Sequence, residues 1–143
     1  MNKRKAEAKD DDMDWDSEIL GEVEDGEANN MFTACWDTNS PLTIPMLLVR
    51  IPVKNPWEIF AYVPFGGWNE CPETEQLMSI AKYWYEKHGA VPAIITHDEL
   101  EMVVPKPVSK KQAMLLAQEQ YEFCTDSVDG EDTQVGNLGD SCG

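Results

Sequence analysis

The stretch that most restricts the fold runs from Pro72 to Gly89, PETEQLMSIAKYWYEKHG. It carries a helix's start and stop signals at the two ends of one helical repeat. Proline suits a first helical position because its missing N–H has no partner to lose there. Glu73 and Glu75 complement the positive end of the helix dipole, and Lys87 and His88 complement the negative end. Gly89 supplies the left-handed stop. Between them Leu77, Ile80, Ala81, Trp84 and His88 recur at helical spacing and define one inward face. The pattern predicts a helix from Pro72 to His88.

The turn that feeds this helix, PFGGWNECP over residues 64–72, is dense in special residues. Gly66 and Gly67 permit the positive φ that a tight turn demands. Trp68 is placed to pack over the corner, and Asn69 to bond the turn backbone. Upstream, MFTACW (31–36) has the composition of a short strand, and LTIPMLLVRI (42–51) is the stronger strand candidate, with Pro45 at an edge or bulge. NPWEIFAYV reads as a short helix: Asn55 caps it, Pro56 takes the first position and Glu58 the reciprocal capping place. A strand over Ile59–Val63 competes, because Ile, Phe, Tyr and Val suit either state. Downstream, VPAIITHDELEMVV (91–104) reads as two strands around a tight turn at Asp98–Glu99. A second helix follows, with a Ser109–Gln112 capping box and a stripe of Ala113, Leu116, Ala117, Gln120 and Cys124, widened by Leu115 and Phe123. The expected class is α+β, a small, largely antiparallel sheet with two main helices on one face.

Charge divides the chain. Residues 1–30 hold eleven acids against four bases, net −7, and residues 125–143 hold five acids and no base, net −5. The middle, 31–124, has eleven acids against seven bases, net −4, so most of the overall −16 sits at the two ends. The expected organisation is an acidic disordered tail over 1–30, an α+β domain over 31–125 and an acidic flexible tail over 126–143. Within the first tail, DWDSEILGEV could form a short helix on a partner. A net negative chain repels phosphate backbones, which disfavours direct nucleic-acid binding. There is no apolar run long enough for a membrane span and no signal-peptide pattern, so the expected location is cytoplasmic. Cys35, Cys71, Cys124 and Cys142 are then expected as thiols, and their spacing matches no structural zinc motif.

Three constellations invite chemistry, and each has a plainer reading. Cys71 precedes Pro72 at the start of the best helix, where a thiol pKa falls. With His97 as base and Asp98 as orienter it would make a thiol-dependent hydrolase or transferase. His88, the other imidazole, sits at the far end of the same helix, roughly 25 Å away at 1.5 Å per residue, and cannot serve Cys71. His97, Asp98, Glu99 and Glu101 suggest a metal site, but such a run more often caps a hairpin, and no metal or cofactor is expected. Gly66–Gly67 before a helix suggests a phosphate loop, yet the lysine and glycine spacing of one are missing and Glu70 would repel phosphate. The remaining signal is aromatic. Tyr83 and Tyr85 flank Trp84 and cannot both share its buried face. Phe65, Trp68, Asn69, Glu70, Tyr83 and Tyr85 are therefore the expected binding surface, of the kind that recognises proteins.

The ordered series WEIFAYVPFGGWNECP, KYWYEKHGAVPAIITHDELEMVVP and AMLLAQEQYEFC, over about residues 45–135, resembles a bacterial family of unknown function, DUF4253. The resemblance implies a fold and a site location but no reaction. It implies an origin on mobile elements of gut bacteria. Family members continue into an apolar, tryptophan-rich last strand, where this chain has VGNLGDSCG. The expected consequence is either an open sheet edge that a partner strand, or a second copy in a homodimer, would fill, or an N-terminal strand that takes the missing one's place. The leading expectation is a non-catalytic, acidic protein-binding module, a regulator or inhibitor of host machinery, with a defence inhibitor as one form. The partner is a host or element-encoded protein. The alternative is the small thiol enzyme using Cys71 and His97.

Overall fold

A computed structural model describes Ala6 and residues 32–37, 39–68 and 71–124. The expected tails 1–30 and 126–143 lie outside the described residues, Ala6 excepted. The chain divides into two compact units. One comprises Asn30–Trp68 and Pro72–Lys106. Of the described residues, the other takes in Ala6, Cys71 and residues 107–124.

In the first unit, a 3₁₀ helix over Pro56–Ala61 opens the regular structure. Its start is built as the residue types demand. Asn55 is the cap, Pro56 the first helical residue, and Glu58 reaches back so that its Oε1 accepts from Asn55 Nδ2 at 2.7 Å. The competing strand over Ile59–Val63 does not form. Phe60 is fully buried, the largest side chain in that state among the described residues. Helix α1 follows over Thr74–His88. It begins two residues later than the proline suggests, because Glu73 is its cap, and Glu73 N donates to Gln76 Oε1 at 3.2 Å. It ends where expected, with Gly89 left-handed at φ 73° and its N–H on the Tyr85 carbonyl at 2.8 Å. Leu77, Ala81 and Trp84 are buried, and Ile80 and His88 are half-buried, so the expected inward face is the real one.

Strands β1 (Val91–Ile95) and β2 (Leu100–Val103) pair antiparallel. The register shifts between Pro92, opposite Met102, and Ile94, opposite Glu101, which leaves Ala93 as a bulge. Proline has no N–H for the ladder, so an irregularity beside it is the low-cost solution. The 3₁₀ helix packs on both α1 and β1, and α1 also touches β1. The unit's core is Cys35, Phe60, Phe65, Leu77, Ala81, Trp84 and Ala90. Among the described residues the sheet has these two strands.

Two expected strands are absent. Residues 33–35 form a turn, and Trp36 makes only an isolated antiparallel bridge to Thr43. Residues 44–53 adopt no regular structure. Branched and apolar composition favours a strand only where a neighbour completes the ladder; Pro45 removes a donor from this one, and Pro52 the donor just beyond its end.

Helix α2, over Lys110–Phe123, belongs to the second unit. Ser109 N donates to Gln112 Oε1 at 3.2 Å, the expected capping box. Ala113, Leu116 and Ala117 are buried, and Gln120, Phe123 and Cys124 half-buried. Leu115 is 46 % exposed and does not widen the stripe; Met114 is half-buried instead. Helices and an antiparallel sheet together make the fold α+β.

Candidate functional site

The turn before α1 is a rigid corner. Gly66 and Gly67 have φ of 96° and 81°, the region that favours glycine. Gly67 N donates to the Pro72 carbonyl at 3.0 Å, and a Cβ on Gly66 would run into that same carbonyl. Thr74 Oγ1 donates to the Phe65 carbonyl at 3.0 Å, which ties the turn to the first residue of the helix. Phe65 meets Trp68 edge-on, ring centroids 4.8 Å apart. Phe65 is buried and so serves the core rather than a contact surface, while Trp68 is half-buried. Asn69 and Glu70 lie outside the described residues.

The other half of the expected surface stands on α1. Tyr83 and Tyr85 are 41 % and 38 % exposed. Trp57, from the 3₁₀ helix, leans on Tyr85 with centroids 5.1 Å apart and planes tilted by 58°. Lys87 Nζ lies 4.9 Å from the Tyr83 ring centre and donates to its hydroxyl at 2.6 Å. Thr74, bound to the turn, and Tyr83 are nine residues apart on one helix, about 14 Å along its axis. The turn and the tyrosines are therefore separate patches along α1, not one cluster. Trp57, one of the dense aromatics of the sequence, was not placed in the expected surface because its contact with Tyr85 is tertiary. The Tyr83–Lys87 contact has the i,i+4 spacing that could have revealed it.

The residues of the thiol alternative occupy different settings. His97 sits on the hairpin turn with its side chain 89 % exposed, and its Nδ1 lies 3.1 Å from Asp98 Oδ1. Asp98 Oδ1 also accepts from Thr96 Oγ1 at 3.1 Å, while Thr96 Oγ1 accepts from the N–H groups of Asp98 and Glu99. Thr96 N closes the turn on the Glu99 carbonyl at 2.9 Å. These bonds are what a hairpin turn needs for its own backbone. Asp98 thus serves the turn as well as facing His97. Cys71 is half-buried and belongs to the other unit. Glu101, counted with the metal candidates, accepts from Thr33 N at 2.8 Å and Thr33 Oγ1 at 2.7 Å, holding the segment before Cys35 against β2. Among the described residues no group of three or more His, Cys, Asp and Glu could hold a metal ion.

Two carboxylates are held below their ordinary range. Glu58 is lowered chiefly by the Asn55 side chain and then by the Asn55 backbone. Asp37 is lowered chiefly by the Asn39 backbone N–H, which donates at 2.8 Å, and then by the Ser40 hydroxyl. Both order local turns.

No helix among the described residues is long and apolar enough to cross a membrane. Neither the curated proteins nor the solved structures include a match to this chain. A family model does match, over residues 47–141, and its description is a domain of unknown function. That span takes in the 3₁₀ helix, the glycine turn, α1, the hairpin and α2, so the chain belongs to the DUF4253 family.

Proposed function

We propose that this chain is a non-catalytic protein-binding module acting in the cytoplasm, a regulator or inhibitor of host machinery carried by a mobile element. The observation that carries the reading is the exposed pair Tyr83 and Tyr85 on α1, with Trp57 set against Tyr85. Both tyrosines sit on a capped helix whose other face is buried, so they offer large amphipathic rings at little conformational cost. The acidic balance of the chain directs it towards proteins rather than phosphate backbones. Trp68 at the glycine turn is a second contact point on the same unit, with Asn69 and Glu70 beside it in sequence. The test is affinity capture of host proteins by the wild type beside a Tyr83→Ala/Tyr85→Ala variant. The reading expects a specific protein held by the first and lost by the second.

The thiol enzyme has one observation in its favour, the His97–Asp98 pair at 3.1 Å. A cell-level activity abolished by Cys71→Ala and by His97→Ala would select it over the binding module.

A further inference from the structure

The segment read as a strand and found without one is the most exposed apolar surface of the first unit. Met46, Leu47, Leu48 and Val49 are 54, 90, 104 and 62 % exposed, and Leu42 and Ile44 precede them at 68 and 37 %. Exposed single leucines are ordinary, whereas a contiguous run of this kind marks an interaction surface. Its backbone is equally open. Ile44 N still bonds the Cys35 carbonyl and Val53 N the Ile51 carbonyl. Between them, the six N–H groups of residues 46–51 make no hydrogen bond among the described residues. Pro45 and Pro52 bracket this six-residue window, so the free donors have a defined start and end.

Charge decides what can lie there. Asp37 and Glu58 bound a stretch with no acid, in which Arg50 and Lys54 are the only charges, within a chain of formal charge −16. Arg50 makes no ion pair among the described residues. Two copies of such a chain repel one another almost everywhere, but here they meet without opposing carboxylates. We propose that the window 46–51 pairs antiparallel with the same window of a second copy, forming a homodimer about a two-fold axis near Leu48 and Val49. An isologous contact needs one self-complementary patch. This one has apolar side chains at its centre and free backbone groups along it. The antiparallel sense sends the two Arg50 residues to opposite ends of the ladder, whereas a parallel pair would stack them. Standard interfaces use about 20–30 residues a side, so a ladder this short makes a weak dimer. This pairing is independent of the aromatic patch on α1.

The test is sedimentation equilibrium of the full chain from about 1 μM to about 500 μM, at low and high salt, with Leu48→Asp as the variant. Leu48 lies outside the core, and the variant's thermal unfolding is recorded to show that the fold is kept. The proposal expects the wild-type mass to rise from 16.1 kDa towards twice that value. Association should strengthen with salt, because screening relieves repulsion between two acidic bodies. Leu48→Asp, which places like charges beside the axis, should remain at the monomer mass. A wild type that stays monomeric throughout overturns the proposal, as does a Leu48→Asp chain that dimerises equally well. Association that weakens with salt also overturns it, since the contact would then rest on opposite charges. A monomer that instead binds a different protein through this window, and loses it in Leu48→Asp, replaces the second copy with that partner.

Discussion

Replacing Gly66 and Gly67 one at a time by alanine separates a scaffold turn from a tolerant loop. Both glycines have positive φ, so alanine at either costs about 1–2 kcal/mol of backbone strain. The surroundings then differ. At Gly67 the new Cβ meets Glu73 Oε2 at 2.9 Å, the far end of a flexible, exposed side chain that can move aside. At Gly66 it meets the Pro72 carbonyl, a backbone group that holds the Gly67 N–H at 3.0 Å. The carbonyl can give way only by breaking that bond, worth about 0.5–1.5 kcal/mol. Gly66→Ala should therefore cost about 1.5–3.5 kcal/mol, and Gly67→Ala about 1–2 kcal/mol. Urea unfolding followed by tryptophan fluorescence measures both, with unchanged slopes showing that only stability moved. Equal losses, or a Gly66→Ala loss below about 1 kcal/mol, would refute the steric argument and with it the view of this turn as a fixed corner.

Phe60→Ala should cost about 3–5 kcal/mol, because the ring is fully buried between the 3₁₀ helix and its neighbours, and the same urea titration reads the loss. Glu58→Gln tests a pH dependence. Glu58 has its folded pKa lowered from 4.5, so its stabilisation is present above the unfolded value and is lost as pH falls through the folded one. The stability gap between wild type and Glu58→Gln should be widest near neutrality and close below pH 4.5, as followed by thermal melts across that range. His97→Ala should change stability by no more than about 0.5 kcal/mol, since the ring is exposed and Thr96 and Asp98 hold the turn without it; a larger loss in the same melts would show that the ring is structural.

The parts of the fold that were legible in the sequence are those whose hydrogen bonds close within a few residues. Asn55 with Glu58 and Ser109 with Gln112 announce helix starts because each pair satisfies backbone donors three positions apart. Gly89 announces a stop because the residue there must be left-handed. The hairpin was readable because its strands are joined by a turn that Thr96 and Asp98 bond locally. The segment 42–51 was misread for the converse reason. Its composition suits a strand, but a strand exists only with a neighbour, and composition does not say whether the neighbour is present. The site divides in the same way. Helical geometry alone placed at least one of the two tyrosines at the surface, since both cannot share Trp84's face, and both are exposed. Phe65 was counted with the aromatic surface for its residue type and its place in the turn, whereas its carbonyl is tied to Thr74 and its ring is buried. The tilted contact of Trp57 with Tyr85 joins residues 28 positions apart and left no trace in local spacing.

The claim that this is a binding module rather than an enzyme is tested most directly by one capture experiment from a bacterial lysate. It would compare the wild type with Tyr83→Ala/Tyr85→Ala and with Cys71→Ala. The account predicts one specific protein retained by the wild type and by Cys71→Ala, and lost by the tyrosine variant. Equal retention by the tyrosine variant, retention that depends on Cys71, or no protein retained by the wild type would contradict it.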